Sequence, residues 1–161
     1  MNIRIGIGND IHKLVNDRPL IIGGVTIPYE KGNLGHSDGD ALLHSIIDAL
    51  LGALALGDVG SHFPDNDMKY KDADSGLLLK IVVNICHKEG YEINNIDSTV
   101  ILQKPKLAPY ILKIRENIAQ ITNTDIDRIS VKAKTNENIG AIGEGNAIAT
   151  YAVASLTKKA Q

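Results

Sequence analysis

Acidic and histidine side chains concentrate near the start of the chain, where four of the five histidines lie within the first 62 residues. Asp10 and His12 follow a predicted strand, and residues two apart on an extended chain point the same way. Asp40 and His44 lie one turn apart on a predicted helix. One Asp and two His side chains suit a zinc ion that keeps one position open. The pattern favours a metal site at Asp10, His12 and His44, with Asp40 or His36 supporting the ligands or binding a substrate. The alternative is that these side chains are separately solvated or cap helices.

A second candidate site lies near the end of the chain, in residues 132–137 and in the glycine-containing stretch 140–145. A strand that ends in Lys and Thr, with Glu137 two residues later, could hold a phosphate and a second divalent ion. Glycines leave backbone N–H groups free to approach phosphate oxygens. Taken alone, the stretch is more typical of a flexible loop. Residues 103–106 are likewise most simply an exposed basic turn, although they could close over a nucleotide.

A third polar segment, residues 57–67, carries Asp58, His62, Asp65 and Asp67. Gly, Pro and Asp at this density are typical of a solvated connection between elements. The segment lacks the later Gly and Glu of a calcium-binding loop, so we do not assign it that role.

Alternation and helical spacing place these residues on strands and helices. The isoleucines of residues 3–7 alternate with polar or small residues, as in a half-buried strand. Gly23-Gly24 joins two short strands in a predicted hairpin. A buried helix is predicted to begin at Ser37 as N-cap, with Asp40 completing a capping-box-like start, and to end at Gly57.

The remaining elements alternate between helix and strand. We predict a helix over 74–88, a strand over 96–103, a helix that starts at Pro109, and strands over 129–134 and 147–156. Long helices interleaved with strands predict an α+β fold, a two-layer sandwich with helices on one face of the sheet. Because no linker or repeat divides the sequence, residues 1–161 are expected to form a single domain.

Composition excludes several classes of protein. Hydrophobic residues make up 43% of the chain, enough for a core, and aromatic residues only 4%. With a net charge of −2, this argues against nucleic-acid binding through stacking platforms or a basic surface. The longest apolar stretch, Ile46–Val59, is short and interrupted by Asp and Gly, so no membrane span is expected. No leader peptide is apparent, so we expect a cytoplasmic protein. The single cysteine, Cys86, excludes an internal disulfide and is interpreted as a core residue.

Several motifs occur together in an order that characterises a known family. They are Asp10-x-His12, Ile22-Gly-Gly-Val-x-Ile-Pro28, Gly35-His-Ser-Asp-Gly-Asp40 with His44, Asp48-Ala-Leu-Leu-Gly52, Ala55-Leu-Gly-Asp-Val-Gly60, His62-Phe-Pro-Asp65, Gln103-x-Pro-Lys106, and Val131-Lys-Ala133 with Thr135 and Glu137. On these motifs the chain resembles the 2-C-methyl-D-erythritol 2,4-cyclodiphosphate synthases of the non-mevalonate isoprenoid pathway. The resemblance covers nearly the whole length, and the block 36–65 is its most specific part.

The resemblance implies a homotrimer with an active site between each pair of neighbouring subunits, and a four-stranded mixed sheet layered with helices. In such enzymes the positions of Asp10, His12 and His44 bind zinc or another divalent transition metal, and that of Glu137 binds Mg²⁺ or Mn²⁺. The methylerythritol phosphate side of the substrate would contact His36, Ser37, Asp58, Gly60 and Asp65. The cytidine side would contact Leu102, Lys106, Leu107, Ala133, Lys134 and Thr135 of a neighbouring subunit. The implied catalytic set comprises Asp10, His12, His36, His44, Asp58, Asp65, Lys106, Thr135 and Glu137.

The implied reaction is an intramolecular phosphoryl transfer. The 2-phosphate of 4-diphosphocytidyl-2-C-methyl-D-erythritol 2-phosphate attacks its own β-phosphate, releases CMP and closes an eight-membered cyclic diphosphate. No side chain needs to act as a nucleophile. The chain would therefore be a lyase that supplies isoprenoid precursors.

The sequence departs from the usual family pattern at four positions. Asn9 stands where many members carry Phe, and Lys134 replaces a Thr near the nucleotide phosphates. Ala141 and Glu144 replace a Phe and an Arg that, in some relatives, line a central trimer cavity holding an isoprenoid diphosphate. Because a carboxylate would meet the anionic ligand there, we expect weak or absent diphosphate binding in that cavity.

Two other functions are compatible with the same residues. A metal-dependent phosphohydrolase could use the same Asp/His/His site, with a metal-bound water as nucleophile and linear products. A catalytically silent trimeric nucleotide-binding or scaffold protein could use zinc structurally. Structural zinc usually takes four protein ligands, commonly including Cys, and Cys86 lies far from the cluster in sequence.

Overall fold

The computed structural model describes residues 2–64, 66–68 and 73–159, and its main element is a mixed five-stranded sheet. The strands are β1 (Ile3–Asn16), β2 (Leu20–Ile22), β3 (Val25–Ile27), β4 (Lys31–Asn33), β5 (Tyr91–Ile101), β6 (Ile129–Lys134) and β7 (Ala147–Lys158). The sheet has the order β4-β1-β7-β5-β6, and β2 pairs with β3 in a separate hairpin. Only β5 and β6 pair in parallel among these strands. The predicted α+β class is confirmed.

The sheet has one strand more than the four implied by the resemblance. Because β1 is 14 residues long, its last three residues extend past the stretch that pairs with β7. Residues 14–16 pair instead with the short strand β4, which becomes an edge of the sheet.

Five α-helices lie within the described residues, and the three longest pack against the sheet and against neighbouring helices. They are α1 (Ala41–Ala53), α2 (Val59–His62), α3 (Ser75–Lys88), α4 (Ile111–Thr122) and α5 (Gly140–Gly143). The first of these, α1, packs directly on β1 and β7. A Cβ atom on Gly6 would lie 2.0 Å from the carbonyl oxygen of Ala49, and one on Gly8 would lie 2.0 Å from that of Ser45. Glycine at both positions therefore allows the helix to approach the strand this closely.

The alternating isoleucines of β1 face away from the helices. The prediction of a strand is confirmed, but the glycines rather than the isoleucines form its inner face. Ile5 is 69% exposed and Ile7 71%, and both belong to an apolar surface on the outer face of β1 and β7. We call this surface the β1/β7 apolar face; it comprises Ile3, Ile5, Ile7, Ile11, Tyr151 and Val153.

Asp40, not Ser37, is the N-cap of α1, so the predicted capping box is wrong. The Asp40 carboxylate is fully buried and accepts hydrogen bonds from the backbone N–H groups of Leu43, Gly23 and Gly24. Both glycines have positive φ in the turn between β2 and β3, as a two-residue hairpin of this kind requires. One carboxylate thereby fixes the start of α1 against the hairpin.

Several element boundaries differ from prediction. Helix α1 ends at Ala53 rather than Gly57, because Leu54 and Ala55 close its last turn and Ala55 has positive φ. Strand β5 begins at Tyr91, and α4 begins at Ile111 after a 3₁₀ turn that contains Pro109. Among the described residues, no helix is long and apolar enough to span a membrane.

Candidate active site

Strand β1 and helix α1 bring Asp10, His12 and His44 together. One ligand atom of each residue lies within 4.8 Å of the other two. Asp10 Oδ2 is 2.8 Å from His12 Nε2 and 3.1 Å from His44 Nδ1. Asp10 and His12 share the inner face of β1, beyond the glycines on which α1 lies, and this places His44 opposite them.

The surroundings of the three side chains suit a metal ion. His12 Nδ1 lies 2.7 Å from the Leu34 carbonyl oxygen. Because a carbonyl can only accept, Nδ1 carries the proton and Nε2 is left free to bind a metal beside Asp10. One carboxylate oxygen and two imidazole nitrogens are typical of zinc and similar divalent transition metals, with a fourth position open for substrate.

Burial and hydrogen bonding shift the pKa values of two of these side chains. Burial raises the pKa of Asp10, but hydrogen bonds from His12 and His44 outweigh it and lower that pKa to about 2. For His12, burial lowers the pKa, but the hydrogen bonds of its ring to Asp10 and to the Leu34 carbonyl outweigh burial and raise the pKa above its usual value. Because a metal ion binds the deprotonated forms of carboxylate and imidazole ligands, the affinity of this site for a divalent ion is expected to rise with pH.

Asp40 lies outside this group, although sequence spacing makes it a candidate supporting residue. Burial raises the pKa of Asp40 to about 6, against the three backbone N–H groups that favour its charged form. Its contacts are those of a helix cap, and no hydrogen bond links its carboxylate to Asp10, His12 or His44.

A cavity of about 260 Å³ opens over the three side chains. It is lined by Asp10, His12, Gly35, His36, Ser37, His44, Val59, Gly60, Phe63 and Leu78. His36, Ser37 and Gly60, which were predicted from the resemblance to bind substrate, thus lie beside Asp10, His12 and His44. The His36 Nε2 atom is buried and has no hydrogen-bond partner among the described residues, so it could bind a ligand.

Hydrogen bonds of Asp48 and Asp58 hold the backbone of the segment after α1 in place beside this cavity. Asp58 caps α2 by accepting from the Ser61 N–H at 2.8 Å, and it does not line the cavity. Its hydrogen bonds with Ser61 lower the pKa of Asp58. Asp48 of α1 accepts from the Val59 N–H at 2.7 Å and fixes the start of α2 beside the site. Asp65 lies outside the described residues.

A second cavity, of about 170 Å³, lies where β5 and β6 end. It is lined by Leu102, Gln103, Pro105, Lys106, Leu107, Ala108, Ala133, Lys134 and Thr135. All six residues predicted to contact the cytidine side are among them. This cavity shares no lining residue with the cavity at Asp10.

Glu137 lies beside the second cavity on a turn of unusual backbone conformation. Thr135 Oγ1 donates to Glu137 Oε1 at 2.7 Å, and Glu137 and Asn138 both have positive φ. Gln103 Oε1 accepts from the N–H groups of Asn136 and Asn138, at 3.2 and 3.3 Å. The Gln103 side chain therefore holds the turn that presents Glu137.

Comparison with known proteins assigns the family. The YgbB family model matches residues 3–157. This chain belongs to the YgbB family. Its relatives include the 2-C-methyl-D-erythritol 2,4-cyclodiphosphate synthase of Clostridium perfringens, which is 57% identical over 156 residues, 97% of this chain and 100% of that protein.

Two solved structures relate the YgbB fold of this chain to known enzymes. The bifunctional IspDF of Campylobacter jejuni has a TM-score of 0.94 and 42% identity, and the match covers 98% of this chain and 43% of that one. The Plasmodium falciparum IspF structure, a CDP complex, has a TM-score of 0.87 and 41% identity, with 99% and 98% covered.

Four residues that support the site were given no individual role from the sequence. Asp38 and Ser75 lie behind His44, Asp48 supports α2, and Gln103 supports the Glu137 turn. Asp38, Asp48 and Gln103 lie inside the motifs quoted for the family resemblance, and only that position in the sequence could have indicated their importance. Ser75 lies outside every quoted motif, and nothing in its local sequence marks it.

Proposed function

We propose that this YgbB-family enzyme converts 4-diphosphocytidyl-2-C-methyl-D-erythritol 2-phosphate to 2-C-methyl-D-erythritol 2,4-cyclodiphosphate and CMP. One observation carries the proposal: Asp10, His12 and His44 converge in a cavity of a chain that is 57% identical to a cyclodiphosphate synthase. The enzyme would be a lyase of isoprenoid precursor biosynthesis.

The reaction forms one bond and breaks one. An oxygen of the substrate's 2-phosphate attacks the β-phosphorus, and the bond from that phosphorus to the oxygen bridging to the α-phosphate breaks. The bridging oxygen leaves with CMP, and the new bond closes the ring. Because both reacting groups belong to one molecule, the enzyme's main task is to hold them in a conformation in which the reacting atoms are close and aligned.

The residues present fit two divalent cations. Asp10, His12 and His44 would hold zinc or another divalent transition metal, and Glu137 would hold Mg²⁺ or Mn²⁺ together with the substrate's phosphates. When bound, these ions supply positive charge to the attacked β-phosphate and to the departing CMP phosphate.

The chain's own residues would bind the two halves of the substrate. His36 Nε2, Ser37 Oγ and the Gly60 backbone would contact the methylerythritol phosphate half, because they line the cavity over Asp10. At the second cavity, Leu102, Leu107 and Ala133 would surround the cytosine, and Lys106, Lys134 and Thr135 would bind phosphate oxygens. Asp58 and Asp65 would contact substrate from the segment that follows α1.

We further propose that the protein is a homotrimer whose active sites form between subunits. The two cavities share no lining residue. The first cavity of one subunit and the second cavity of a neighbouring subunit could therefore bind the two halves of one substrate molecule. The β1/β7 apolar face offers a surface for that association, because large apolar side chains are exposed on it side by side. Residues 1–161 would fold as one domain, and the enzyme would act in the cytoplasm.

A matched pair of histidine variants tests the metal site. His44→Ala should lose zinc and turnover together, because it removes one of three ligands. His87→Ala makes the same change on α3, at a residue that lines neither cavity, so this variant should retain zinc and turnover. Zinc content is measured on the purified proteins and turnover by CMP release. Full activity in a zinc-free His44→Ala protein would contradict the proposal.

A further inference from the structure

His44 makes its second ring contact in the opposite direction from Asp10. Its Nε2 atom lies 2.9 Å from Ser75 Oγ, the hydroxyl of the first residue of α3. Ser75 is fully buried. The Ser75 hydroxyl donates in turn to Asp38 Oδ1 at 2.5 Å, and the Ser75 N–H donates to Asp38 Oδ2 at 3.0 Å. A chain of hydrogen bonds thus runs from His44 through Ser75 to Asp38.

Counting donors along this chain assigns the proton on His44. An ionised carboxylate can only accept, so the one hydrogen of the Ser75 hydroxyl points to Asp38. Ser75 Oγ then has only lone pairs to offer His44, and Nε2 must carry a hydrogen. Nδ1 faces Asp10 Oδ2 at 3.1 Å, so it is the nitrogen whose lone pair a metal ion would take after displacing the hydrogen shared with Asp10. Ser37 Oγ is a poorer acceptor for Nε2, because it is 3.3 Å away and also accepts from the Gly39 N–H.

We infer that Ser75 and Asp38 are positioning residues that fix the tautomer and orientation of His44 for metal binding. The inference rests on the proposed function, because it takes Asp10, His12 and His44 to be metal ligands. Neither residue lines the cavity, so they act through His44 rather than on the substrate. A hydrogen-bond acceptor on the outer nitrogen of a metal-bound histidine increases its basicity as a ligand, and losing it typically costs 10–100-fold in metal affinity.

Asp38 also joins two parts of the fold behind the metal ligands. Its Oδ1 accepts from the N–H of Asp40, the N-cap of α1, at 3.1 Å, and its own N–H donates to the Ala73 carbonyl at 3.2 Å. The loop that precedes α1 is therefore tied to the start of α3 by one side chain. The orientation of His44 depends on α3 as well as on α1.

The test measures zinc affinity without substrate, by competition with a chromogenic chelator. Ser75→Ala should weaken zinc binding by about 10–100-fold, and Asp38→Asn by a similar factor, since Asn cannot accept with both side-chain atoms. The double variant should bind little worse than either single variant, because both changes break one chain. Ser98→Ala is the matched control: it removes a buried hydroxyl that donates to the Ser130 carbonyl in the sheet, and it should leave zinc affinity unchanged.

A spectroscopic measurement separates positioning from general loss of structure. In the zinc-loaded protein, ¹⁵N-edited NMR should show a slowly exchanging imidazole Nε2–H proton on His44. That signal should disappear in Ser75→Ala and persist in Ser98→Ala, while circular dichroism confirms that all variants are folded. If the unaltered protein bound no zinc, the proposed metal site would fail and this inference with it. Equal zinc affinity in the unaltered protein, Ser75→Ala and Asp38→Asn would overturn the inference alone.

Discussion

The close contact between α1 and β1 at Gly8 determines the geometry of the metal site. A Cβ atom on Gly8 would lie 2.0 Å from the Ser45 carbonyl oxygen and 2.8 Å from the Ala49 nitrogen, whereas real Cβ contacts are essentially never shorter than 3.0 Å. In Gly8→Ala, the helix must therefore move away from the strand by about 1 Å, the difference between 3.0 and 2.0 Å.

This displacement acts directly on the metal ligands. Gly8 is two residues from Asp10, and Ser45 follows His44, so the 3.1 Å separation of Asp10 Oδ2 and His44 Nδ1 would grow with it. Metal–ligand distances tolerate only about 0.2 Å, so we expect zinc affinity to fall at least about tenfold. Overpacking should also cost about 1–3 kcal/mol of unfolding free energy, or roughly 2–12 °C in Tm.

Gly52→Ala is the matched control on the same helix. A Cβ atom there would meet only the Ile7 carbonyl oxygen, at 3.8 Å. The change should leave zinc affinity unaltered and stabilise the helix by about 1 kcal/mol, because Ala has the higher helix propensity. Zinc affinity is measured by chelator competition and stability by thermal unfolding. If Gly8→Ala bound zinc as tightly as the unaltered protein and had the same Tm, the close contact would not determine the site.

Three other predictions concern association, pH and a possible second ligand. Ile7→Glu should yield monomers in light scattering that bind zinc but lack turnover, because a carboxylate on the β1/β7 apolar face opposes its burial; an active trimer would contradict this. Because burial raises the pKa of Asp40 to about 6, above its value of 3.8 in an unfolded chain, its stabilising contribution is complete below pH 3.8 and lost as pH rises through 6. The difference in unfolding free energy between the unaltered protein and Asp40→Asn should therefore fall by up to about 3 kcal/mol between pH 4 and 7. Urea titrations measure it, and a difference that stayed constant with pH would refute this prediction. Calorimetry with geranyl diphosphate should show weak or no binding, because Glu144 would place a carboxylate in the central trimer cavity where a diphosphate needs a positive charge. Micromolar affinity for geranyl diphosphate on the trimer axis would contradict this prediction.

Local patterns in the sequence predicted most of the elements but not how they face one another. Alternation in residues 3–7 correctly predicted a strand, but it could not show on which side of the sheet the isoleucines lie. They face outwards because α1 needs the glycine side of β1 to approach closely enough. Similarly, the sequence pattern placed the N-cap of α1 at Ser37, whereas Asp40 is the cap and its carboxylate also accepts from the Gly23-Gly24 turn.

The candidate site was predictable as far as its residues lie in recognisable motifs. The spacing of Asp10 and His12 indicated two ligands on one side of a strand, but spacing alone could not show that His44 meets them. That contact depends on packing between β1 and α1, which no local pattern encodes. Ser75 contacts His44 across 31 positions of sequence, so its role emerges only from the folded chain.

Phosphorus NMR tests the central claim most directly. The purified protein is incubated with zinc, magnesium and 4-diphosphocytidyl-2-C-methyl-D-erythritol 2-phosphate, and the products are followed over time. We expect CMP to appear together with two coupled resonances of a cyclic diphosphate. CMP with a linear phosphate product would instead indicate a hydrolase, and no turnover by a metal-loaded trimer would indicate a binding protein; either result would contradict the proposed function.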